Sequence, residues 1–560
     1  MITTKIIAPA PSAYDYQLLI RRILEQPLKY KPATEIVYRD KSRYTYVDLY
    51  KRVSKLANLL TGTLRVKPGE TVGIIDYDSH RFLEGYFAIP MIGAILHTIN
   101  FRHSEEEIVH AINHAEDKII FCNKDFIPLL DKLQDRIQGV KKIVILSDDE
   151  NEIITSFKLE GEYENMLTQQ KDEYEFPDFD ENSVATIFFT TGTTGLPKAV
   201  HFSHRQLILH TMALTTTLAG IDASASINSE DVYMPFTPMF HVHAWGMPYL
   251  ATYLGMKQVY PGKYEPGVLL QLKREEKVTV SHGVPTLLQM MLNHPDVNKT
   301  DLTGWKITVG GSALPKGLAT RLVARGINLN VGYGMSETGP VISISYVEKQ
   351  TIATLSNDEQ LEMRLKAGLP IHFSEVKLKN AAGDFVTNDG ISRGEVVVRS
   401  PWAVKSYYDD PARSEELWKD GYLHTGDIAT MDRNGVITVV DRIKDVIKSG
   451  GEWVSSSLLE SLISSYKDVE EVAVVGMPDE KWTERPFAVI VPKLNESISA
   501  NNLIDHLQQF VNHGKIKPFA IPKEYHFVSE LPKTSAGKMD KKKIKAMIEN
   551  LPREPAVGSR

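Results

Sequence analysis

The chain has 560 residues, 42% of them hydrophobic and 24% charged, which is enough for two or three domains with a large buried core. A formal net charge of −7 argues against a general nucleic-acid binder, because there is no basic excess to neutralise backbone phosphates. The single cysteine, Cys122, excludes an intrachain disulfide, argues against a thiolate metal site and favours a reducing, cytoplasmic location.

The N-terminal residues 1–12 show no basic-then-apolar pattern, so we expect no export signal. The most apolar stretch, residues 86–99, is too short to cross a bilayer and contains Pro90. It predicts a buried helix that runs into a strand, and the chain is expected to have no integral membrane segment.

Residues 13–180 alternate helical periodicity with apolar runs at 71–75, 118–121 and 142–146, which predicts helices packed on parallel strands. The alternation repeats over 184–345, with helices predicted at 205–218, 266–276, 286–292 and 316–325, and strands at 184–189, 255–260, 278–280, 305–309 and 327–331. Two strands run into the glycine-rich loops 310–315 and 332–338. Because ligands of open α/β sheets bind beyond the carboxyl ends of the strands, these loops are candidate binding elements.

The pattern changes after residue 366 to short strands with tight turns, which predicts an antiparallel, barrel-like subdomain. Its clearest features are a strand at 394–399 and an Asn434-Gly435 hairpin turn between 428–431 and 436–440. Beyond residues 441–445, a helix at 456–464, strands at 469–475 and 486–492, and a helix at 501–512 predict a compact α+β domain. The predicted fold class is therefore α/β, with two α/β layered subdomains, the antiparallel subdomain and a small α+β C-terminal domain.

Residues 190–198 read Thr-Thr-Gly-Thr-Thr-Gly-Leu-Pro-Lys and follow the predicted strand 184–189. Glycines let backbone amides turn toward a ligand, threonine hydroxyls donate to oxyanions and the lysine adds a positive charge, so the stretch is typical of a phosphate-binding loop. It lacks the Gly-Lys-Ser/Thr ending of the Walker loop, which argues against a P-loop NTPase. For a Gly/Thr run taken alone, a flexible surface loop is the alternative.

Six motifs in order resemble those of the adenylate-forming (AMP-binding, acyl-CoA synthetase) superfamily over nearly the whole chain. They are residues 190–198, 239–241 (Met-Phe-His), 333–338 (Tyr-Gly-Met-Ser-Glu-Thr), 422–427 (Tyr-Leu-His-Thr-Gly-Asp), 442–445 (Arg-Ile-Lys-Asp) and 532–538 (Pro-Lys-Thr-Ser-Ala-Gly-Lys). Residues 240–245 and 448–453 are most similar to prokaryotic long-chain fatty acyl-CoA synthetases. The first motif departs from the common pattern at Thr191, often Ser, and at Ala199, often Gly; these replacements keep a hydroxyl and a small side chain.

The resemblance implies an ATP-dependent acyl-CoA ligase that forms an acyl-adenylate with release of pyrophosphate and then transfers the acyl group to coenzyme A. It implies a medium- or long-chain fatty acid as substrate, a Mg²⁺ cofactor and a homodimer. It also implies an N-terminal adenylation domain over 1–441, a hinge at 442–446 centred on Lys444, a mobile C-terminal domain over 447–550 and a tail at 551–560.

Three residues are implied in catalysis. Lys538 would stabilise the charge that builds on the α-phosphate during attack by the carboxylate, although it precedes three further lysines and alone could be one solvated cation among them. His241 would lie between the acyl carboxylate and the α-phosphate. Glu337, with Thr190 nearby, would hold Mg²⁺, which prefers hard oxygen ligands.

The other implied site residues contact ATP, the acid or coenzyme A. The β- and γ-phosphates would be held by Thr190, Thr191, Gly192, Thr193, Thr194, Gly195 and Lys198. The adenylate would meet Gly311, Ser312, Ala313, Gly332, Tyr333, Gly334, Met335, Ser336, Thr338, Asp427 and Arg442. Tyr333 would stack on the base, and Asp427 would accept both ribose hydroxyls.

The acid and coenzyme A would be met by Val242, Trp245, Lys444, Lys448, Gly450, Gly451 and Trp453. The acyl pocket would use residues 236–245, 281–285 and 310–313. Trp245 could be a wall or gate of that pocket, or equally a core side chain.

Other functions remain open at this point. A different carboxylate (short, aromatic or hydroxy acid) or a carrier protein in place of coenzyme A would fit the same motifs, and a luciferase-like oxygenase would fit the same fold. A non-catalytic nucleotide sensor is disfavoured by the presence of Glu337 and Lys538. His241 and His243 could face one side of a strand, but a zinc site there lacks further ligands.

Overall fold

The structure is a computed structural model that describes residues 4–149, 151, 153–190, 196–449, 452–479, 481–493, 496, 498–534 and 539–550. Its first nine strands are β1 (Glu35–Tyr38), β2 (Ser42–Thr45), β3 (Thr71–Ile75), β4 (Ile95–Thr98), β5 (Asp117–Asn123), β6 (Lys142–Leu146), β7 (Leu159–Glu162), β8 (Val184–Thr190) and β9 (Lys198–Ser203). The helices among them are α1 (Arg21–Tyr30), α2 (Tyr46–Asn58), α3 (His80–Met91), α4 (Glu105–His114), α5 (Ile127–Leu133) and α6 (Tyr163–Thr168).

A seven-stranded sheet has the order β7-β6-β5-β3-β4-β8-β9 and is parallel except for β9, which pairs antiparallel with β8. The predicted parallel α/β layer is therefore confirmed. All twelve residues of α3 are buried, and the chain enters β4 four residues later. This confirms the prediction that the most apolar stretch is a core helix followed by a strand, because its low amphipathicity suits burial on every face.

The second region contains α7 (His204–Gly220), β10 (Val232–Phe236), α8 (Val242–Trp245), α9 (Met247–Leu254), β11 (Lys257–Tyr260), α10 (Pro266–Glu275), β12 (Val280–Gly283), α11 (Pro285–Asn293), β13 (Lys306–Val309), α12 (Lys316–Ala324), β14 (Asn328–Gly334), β15 (Val341–Ile344), α13 (Lys349–Ile352), α14 (Asn357–Leu365) and β16 (Leu369–Pro370). Nine strands form a sheet in the order β16-β15-β14-β13-β12-β10-β11-β1-β2. Its central pairs, from β14 through to β1, are parallel.

The sheets do not follow the sequence division near residue 180. β1 and β2 belong to the second sheet, through pairing of β1 with β11, whereas β8 and β9 complete the first. Apolar periodicity identifies a strand but does not identify its neighbour, which explains why the sequence alternation suggested two consecutive layers.

Residues 375–442 form β17 (Glu375–Lys379), β18 (Gly394–Arg399), α15 (Pro411–Leu417), β19 (Trp418–Lys419), β20 (Tyr422–Met431) and β21 (Ile437–Arg442). The five strands pair antiparallel in one sheet, with β21 added to β20. The predicted Asn434-Gly435 hairpin connects β20 and β21, and Gly435 takes a φ of 81° there.

The C-terminal region contains β22 (Ile447–Ser449), β23 (Glu452–Val454), α16 (Ser456–Ser464), β24 (Val469–Asp479), β25 (Thr483–Pro492), α17 (Ala500–Asn512), β26 (Glu524–Phe527) and α18 (Lys541–Glu549). Its sheet has the order β23-β22-β25-β24, with β26 parallel to β25. The side-chain amides of Gln289 and Asn293 donate to Glu470 at 2.7 Å, and a Cβ on Gly317 would lie 2.6 Å from the carbonyl oxygen of Ser464. Helices α12 and α16 therefore meet closely in this arrangement.

Among the helices of the described residues, none combines the length and apolar character that crossing a bilayer requires.

Candidate active site

The phosphate-loop motif connects two paired strands. Thr190 ends β8, Lys198 begins β9, and the two residues are directly opposite each other in the antiparallel ladder. Residues Thr191, Gly192, Thr193, Thr194 and Gly195 lie outside the described residues. The motif is therefore the connection of a β-hairpin, with its two ends fixed to the first sheet.

The second arm of this hairpin is held by a segment about 210 residues later in the chain. The backbone N–H of Tyr408 donates to the carbonyl of Ala199 at 2.9 Å, and the guanidinium of Arg413 donates to the carbonyl of Leu196 at 3.2 Å. A ring nitrogen of His110 lies 3.3 Å from the carbonyl of Pro197. These contacts fix the backbone on which Lys198 is carried.

A single tyrosine joins Lys198 to the candidate metal ligand. The hydroxyl of Tyr407 donates to Oε1 of Glu337 at 2.7 Å, and Nζ of Lys198 donates to the same hydroxyl at 3.4 Å. The ammonium also lies 4.7 Å from the centre of the Tyr407 ring, in the range of a cation–π contact. Burial, with the neighbouring Glu337 carboxylate, raises the pKa of Tyr407, so its hydroxyl stays protonated as a donor.

Glu337 suits a hard cation. Its side chain is buried, yet no Lys or Arg of the described part of the chain forms an ion pair with it. A buried carboxylate needs compensation, and phosphate-bound Mg²⁺ with its waters would supply it. The described residues contain no cluster of three or more His, Cys, Asp or Glu that could hold a metal ion, so any metal here would depend on Glu337 and on ligands from the substrate.

The loop that carries Glu337 is stabilised from within. The hydroxyl of Thr338 donates to the carbonyl of Pro340 at 2.6 Å and accepts from the N–H of Met335 at 3.0 Å. Thr338 is fully buried and its hydroxyl bonds within the loop, whereas Ser336 is partly exposed. Contact of either residue with the adenylate stays a prediction. A Cβ on Gly334 would lie 1.6 Å from the Pro340 carbonyl oxygen, which explains glycine at this position.

The predicted ribose-binding residues lie together. Asp427 is buried at 5% exposure; its Oδ2 accepts from the Tyr333 hydroxyl at 2.8 Å, and its Oδ1 accepts from Nε of Arg442 at 3.1 Å. Arg442 is half-exposed and directly opposite Asp427 in the pairing of β20 with β21. The Tyr333 hydroxyl therefore orients the Asp427 carboxylate, while stacking of its ring on the base stays a prediction.

The predicted adenine-facing residues follow β13. Gly311, Ser312 and Ala313 are exposed, and Gly311 takes a φ of 80°, which a residue without a Cβ adopts at little cost. Gly332, in β14, would place a Cβ 3.2 Å from the methyl group of Thr308. Residues 311–313 thus leave the backbone exposed after β13, whereas Thr308 leaves little room for a side chain at Gly332.

The short segment α8, which follows His241, is a left-handed turn and neither a right-handed helix nor a strand. Val242, His243, Ala244 and Trp245 have φ values of 48°, 53°, 47° and 59°. Each left-handed non-glycine residue costs about 1–2 kcal/mol, so the surrounding structure must hold this turn in place. The expectation that His241 and His243 share one face of a strand is therefore wrong.

His243 belongs to the core. Its ring lies against Tyr86, Phe188, Phe202 and Tyr249, and burial lowers its pKa to about 3. It is therefore neutral at physiological pH. His241 is partly exposed, and its role beside the acyl carboxylate stays a prediction, while Val242 is buried and offers a ligand only its backbone.

Trp245 is almost completely buried, at 5% exposure. Its ring lies 3.0 Å from the position that a Cβ on Gly310 would occupy and 5.1 Å, centre to centre, from the ring of His282. His282 accepts from or donates to the Tyr233 hydroxyl at 2.8 Å, and burial lowers its pKa to about 3. The indole therefore packs against β12 and the residue that follows β13, and a role as a wall or gate of the acyl pocket stays a prediction.

The C-terminal candidates are not all brought to this site. Lys448 and Trp453 are opposite each other in the β22–β23 hairpin, and both side chains are exposed there. Lys444 lies in the turn that the N–H of Asp445 closes on the carbonyl of Arg442. Gly450, Gly451 and Lys538 lie outside the described residues.

Sequence reasoning missed Tyr407 and Arg413. They belong to Ser-Tyr-Tyr-Asp-Asp-Pro-Ala-Arg at 406–413, whose spacing contains no ligand pattern. The only local signal in this segment is the pair of tyrosines followed by acidic residues, and it does not indicate which loop the segment contacts.

The chain matches known families and curated proteins over most of its length. The family described as AMP-binding enzyme matches residues 24–408, and the AMP-binding enzyme C-terminal domain matches residues 458–538. The chain is 37% identical to a long-chain-fatty-acid–CoA ligase of Thermus thermophilus, with 96% of each chain covered. It is 34% identical to a 3-methylmercaptopropionyl-CoA ligase of Ruegeria lacuscaerulensis, over 94% of this chain and 97% of that one.

The fold is shared with an anthranilate CoA ligase solved in complex with anthranoyl-AMP. That structure superposes with a TM-score of 0.82 at 23% identity, covering 95% of this chain and 98% of the other.

Proposed function

The chain belongs to the AMP-binding enzyme family as an AMP-forming acyl-CoA ligase that uses ATP and coenzyme A, and we propose that its acid is a medium- or long-chain fatty acid. The observation that supports this choice is the absence of charge from the proposed acyl pocket. Residues 236–245, 281–285 and 310–313 include no Asp, Glu, Lys or Arg. The two deeply buried histidines there, His243 and His282, have a pKa lowered to about 3 and are neutral. An acid with a second charged group would be left unpaired in such a pocket.

The proposed first step is attack of the fatty-acid carboxylate oxygen on the α-phosphorus of ATP. The new O–P bond forms as the bond to pyrophosphate breaks, and negative charge grows on the α-phosphate oxygens. Lys538 stabilises that charge, while Lys198 and the hairpin loop hold the departing pyrophosphate. Asp427 accepts the ribose hydroxyls, and His241 orients the carboxylate. Mg²⁺ held by Glu337, with Thr190 close by, would neutralise charge on the phosphates.

The proposed second step transfers the acyl group. The sulfur of coenzyme A attacks the acyl carbonyl, the bond to AMP breaks, and the thiol proton leaves to solvent. Because Lys448 and Trp453 are exposed on the β22–β23 hairpin in this arrangement, we assign them to a second arrangement in which that hairpin, with Gly450 and Gly451, faces the acyl-adenylate.

We propose domain limits of 1–441 and 447–550, joined by a hinge at 442–446. Lys444 is the hinge residue, since it lies in the turn between β21 and β22. Lys444→Pro should slow acyl transfer to coenzyme A more than adenylation, because proline restricts the φ change that rotation requires. Single-turnover measurement of each half-reaction checks this, and equal effects on both would contradict the hinge.

A carboxylate panel tests the substrate proposal. Pyrophosphate release should be fastest with saturated acids of medium or long chain, and slower with ferulate, 4-hydroxybutyrate and 3-methylmercaptopropionate. A preference for one of the latter acids would overturn the proposed class. Release of AMP should require coenzyme A, and release with a phosphopantetheinyl carrier protein alone would identify a carrier-loading enzyme instead.

Two further proposals concern the whole protein. The family resemblance suggests a homodimer, which light scattering on the eluted protein would test. The single buried cysteine is compatible with the proposed cytoplasmic location, which cell fractionation would test.

A further inference from the structure

The left-handed turn at 242–246 has to be held from outside, because its backbone conformation is unfavourable for every residue except Gly246. The residues just before it, Met239 and Phe240, are anchored by side chains from the N-terminal part of the chain. The hydroxyl of Thr98 donates to the carbonyl of Phe240 at 3.0 Å, and the hydroxyl of Tyr86 donates to the carbonyl of Met239. The two hydroxyls satisfy the carbonyls at the entrance to the turn.

The third anchor is a carboxyl group. Oδ1 of Asp78 accepts from the backbone N–H of Met239 at 2.8 Å, and Oδ2 accepts from the hydroxyl of Tyr264 at 2.5 Å. The backbone of Asp78 is fixed as well, because its carbonyl accepts from the N–H of Gly262 at 2.8 Å. Asp78 is 3% exposed, so its carboxyl has little access to water.

Among the described residues, no basic side chain forms a salt bridge with the Asp78 carboxyl. The charged groups that act on it are Arg102, which favours the ionised form, and Asp76, which opposes it; the nearby Tyr264 is neutral. Burial raises the pKa of Asp78 to about 7. The carboxyl therefore changes charge in the neutral pH range while it holds the amide two residues before His241.

We propose that Asp78 is a positioning residue for the acid-binding site, which it serves by fixing the Met239 amide and with it His241 and the left-handed turn that follows and carries Trp245. The inference rests on the proposed function of that turn. A hydrogen bond to an ionised carboxylate is stronger than one to its neutral form, so the turn is held more firmly when Asp78 is ionised. Loosening the turn displaces the acid-binding residues and leaves the nucleotide-binding residues on β14 and β20 in place.

Two substitutions separate the shape of Asp78 from its charge. Asp78→Ala removes the acceptor for Met239. Asp78→Asn keeps an acceptor oxygen for Met239 and places an amide donor toward the Tyr264 oxygen, so it imitates the protonated carboxyl at every pH. Asp117→Asn is the control, because Asp117 is equally buried but faces a ring nitrogen of His97 at 2.7 Å and does not contact the turn.

Hydrogen–deuterium exchange gives a readout that does not need turnover. In the full-length protein, Asp78→Ala should speed exchange of the peptide covering 239–246 at least tenfold, with little change elsewhere, and Asp117→Asn should leave that peptide as in the wild type. Unchanged exchange of 239–246 in Asp78→Ala, or a general increase across the chain, would overturn the proposal. Should Asp78→Ala fail to fold, the Asp78→Asn comparison below decides.

The pH profile tests the charge. With the best acid of the panel, kcat/KM for the acid should fall as pH decreases through about 7 in the wild type and in Asp117→Asn. The decrease near pH 7 should be absent in Asp78→Asn. KM for ATP in Asp78→Asn should stay within twofold of the wild-type value, whereas a general structural defect would change it. Identical profiles for wild type and Asp78→Asn would refute a role for the charge.

The two proposals can fail separately. If the wild type releases pyrophosphate only with an acid outside the fatty-acid class, the proposed substrate is wrong, and the exchange and pH experiments with that acid still decide the role of Asp78.

Discussion

Replacing Tyr407 with phenylalanine isolates the hydroxyl that connects Lys198 to Glu337. The aromatic ring and its contact with the Lys198 ammonium are retained, so the change removes one donor to Oε1 of Glu337 and one acceptor for Lys198. At 2.7 Å the bond to the carboxylate is a charge-assisted one in a buried site, and its loss should cost about 1.5–3 kcal/mol. We expect the Glu337 carboxylate without this partner to be less well oriented for the proposed Mg²⁺.

The expected result is a decrease of about 10- to 100-fold in kcat/KM for MgATP, which is the usual effect of removing the group that orients a metal ligand. Pyrophosphate release measured at several Mg²⁺ concentrations should show that more Mg²⁺ is needed for half-maximal activity. Direct binding of Mn²⁺ in the presence of a non-hydrolysable ATP analogue should weaken in parallel.

Tyr408→Phe is the matched control, since the neighbouring residue holds the hairpin through its backbone N–H, which the substitution keeps. It should change kcat/KM for MgATP by less than about threefold. A Tyr407→Phe enzyme with wild-type Mg²⁺ dependence would refute the reasoning, because the hydroxyl would then have no part in orienting Glu337.

Three further outcomes follow from the site. Lys538→Ala should lose adenylation by a factor of about 10² or more but still convert supplied acyl-adenylate and coenzyme A to thioester, and equal loss of both half-reactions would contradict its assignment. Trp245→Ala removes the indole that lies against Gly310, so the preferred acid in the carboxylate panel should become longer or bulkier. An unchanged preference with a lower melting temperature would identify Trp245 as a core side chain. Gly334→Ala would force a Cβ to within 1.6 Å of the Pro340 carbonyl oxygen, so it should lower the melting temperature by several degrees and abolish ATP binding; an unaffected melting curve would show that the loop can move aside.

Local sequence determined most of the elements and the position of the loops. The period-2 and period-3.6 patterns predicted strands β3, β5, β6, β8 and β11 to β14, helices α7 and α10 to α12, the Asn434-Gly435 hairpin and much of the C-terminal α+β unit to within a few residues, whereas strands such as β1, β2, β7, β9 and β10 were not predicted. Glycine and threonine content identified the hairpin loop at 190–198, and the order of six motifs indicated the family. These features are readable because each depends on residues that are close together in the chain.

The tertiary structure alone decided which distant residues meet. Tyr407 reaches Lys198 across 209 residues, and Asp78 reaches the amide of Met239 across 161. Neither residue belongs to a recognisable motif. The order of strands in the two sheets, and not the neighbouring sequence, determines which distant residue each of them contacts.

The turn after His241 shows the same limit most clearly. Its sequence, Val-His-Ala-Trp, has no glycine and would suit a strand or a right-handed helix, yet it is left-handed. Packing of His243 into the aromatic core and the anchors at Met239 and Phe240 outweigh the local preference. The sequence therefore determined many of the elements and indicated the family, whereas the packing of the two sheets decided the geometry of residues 242–246, because a strained backbone is fixed by long-range contacts.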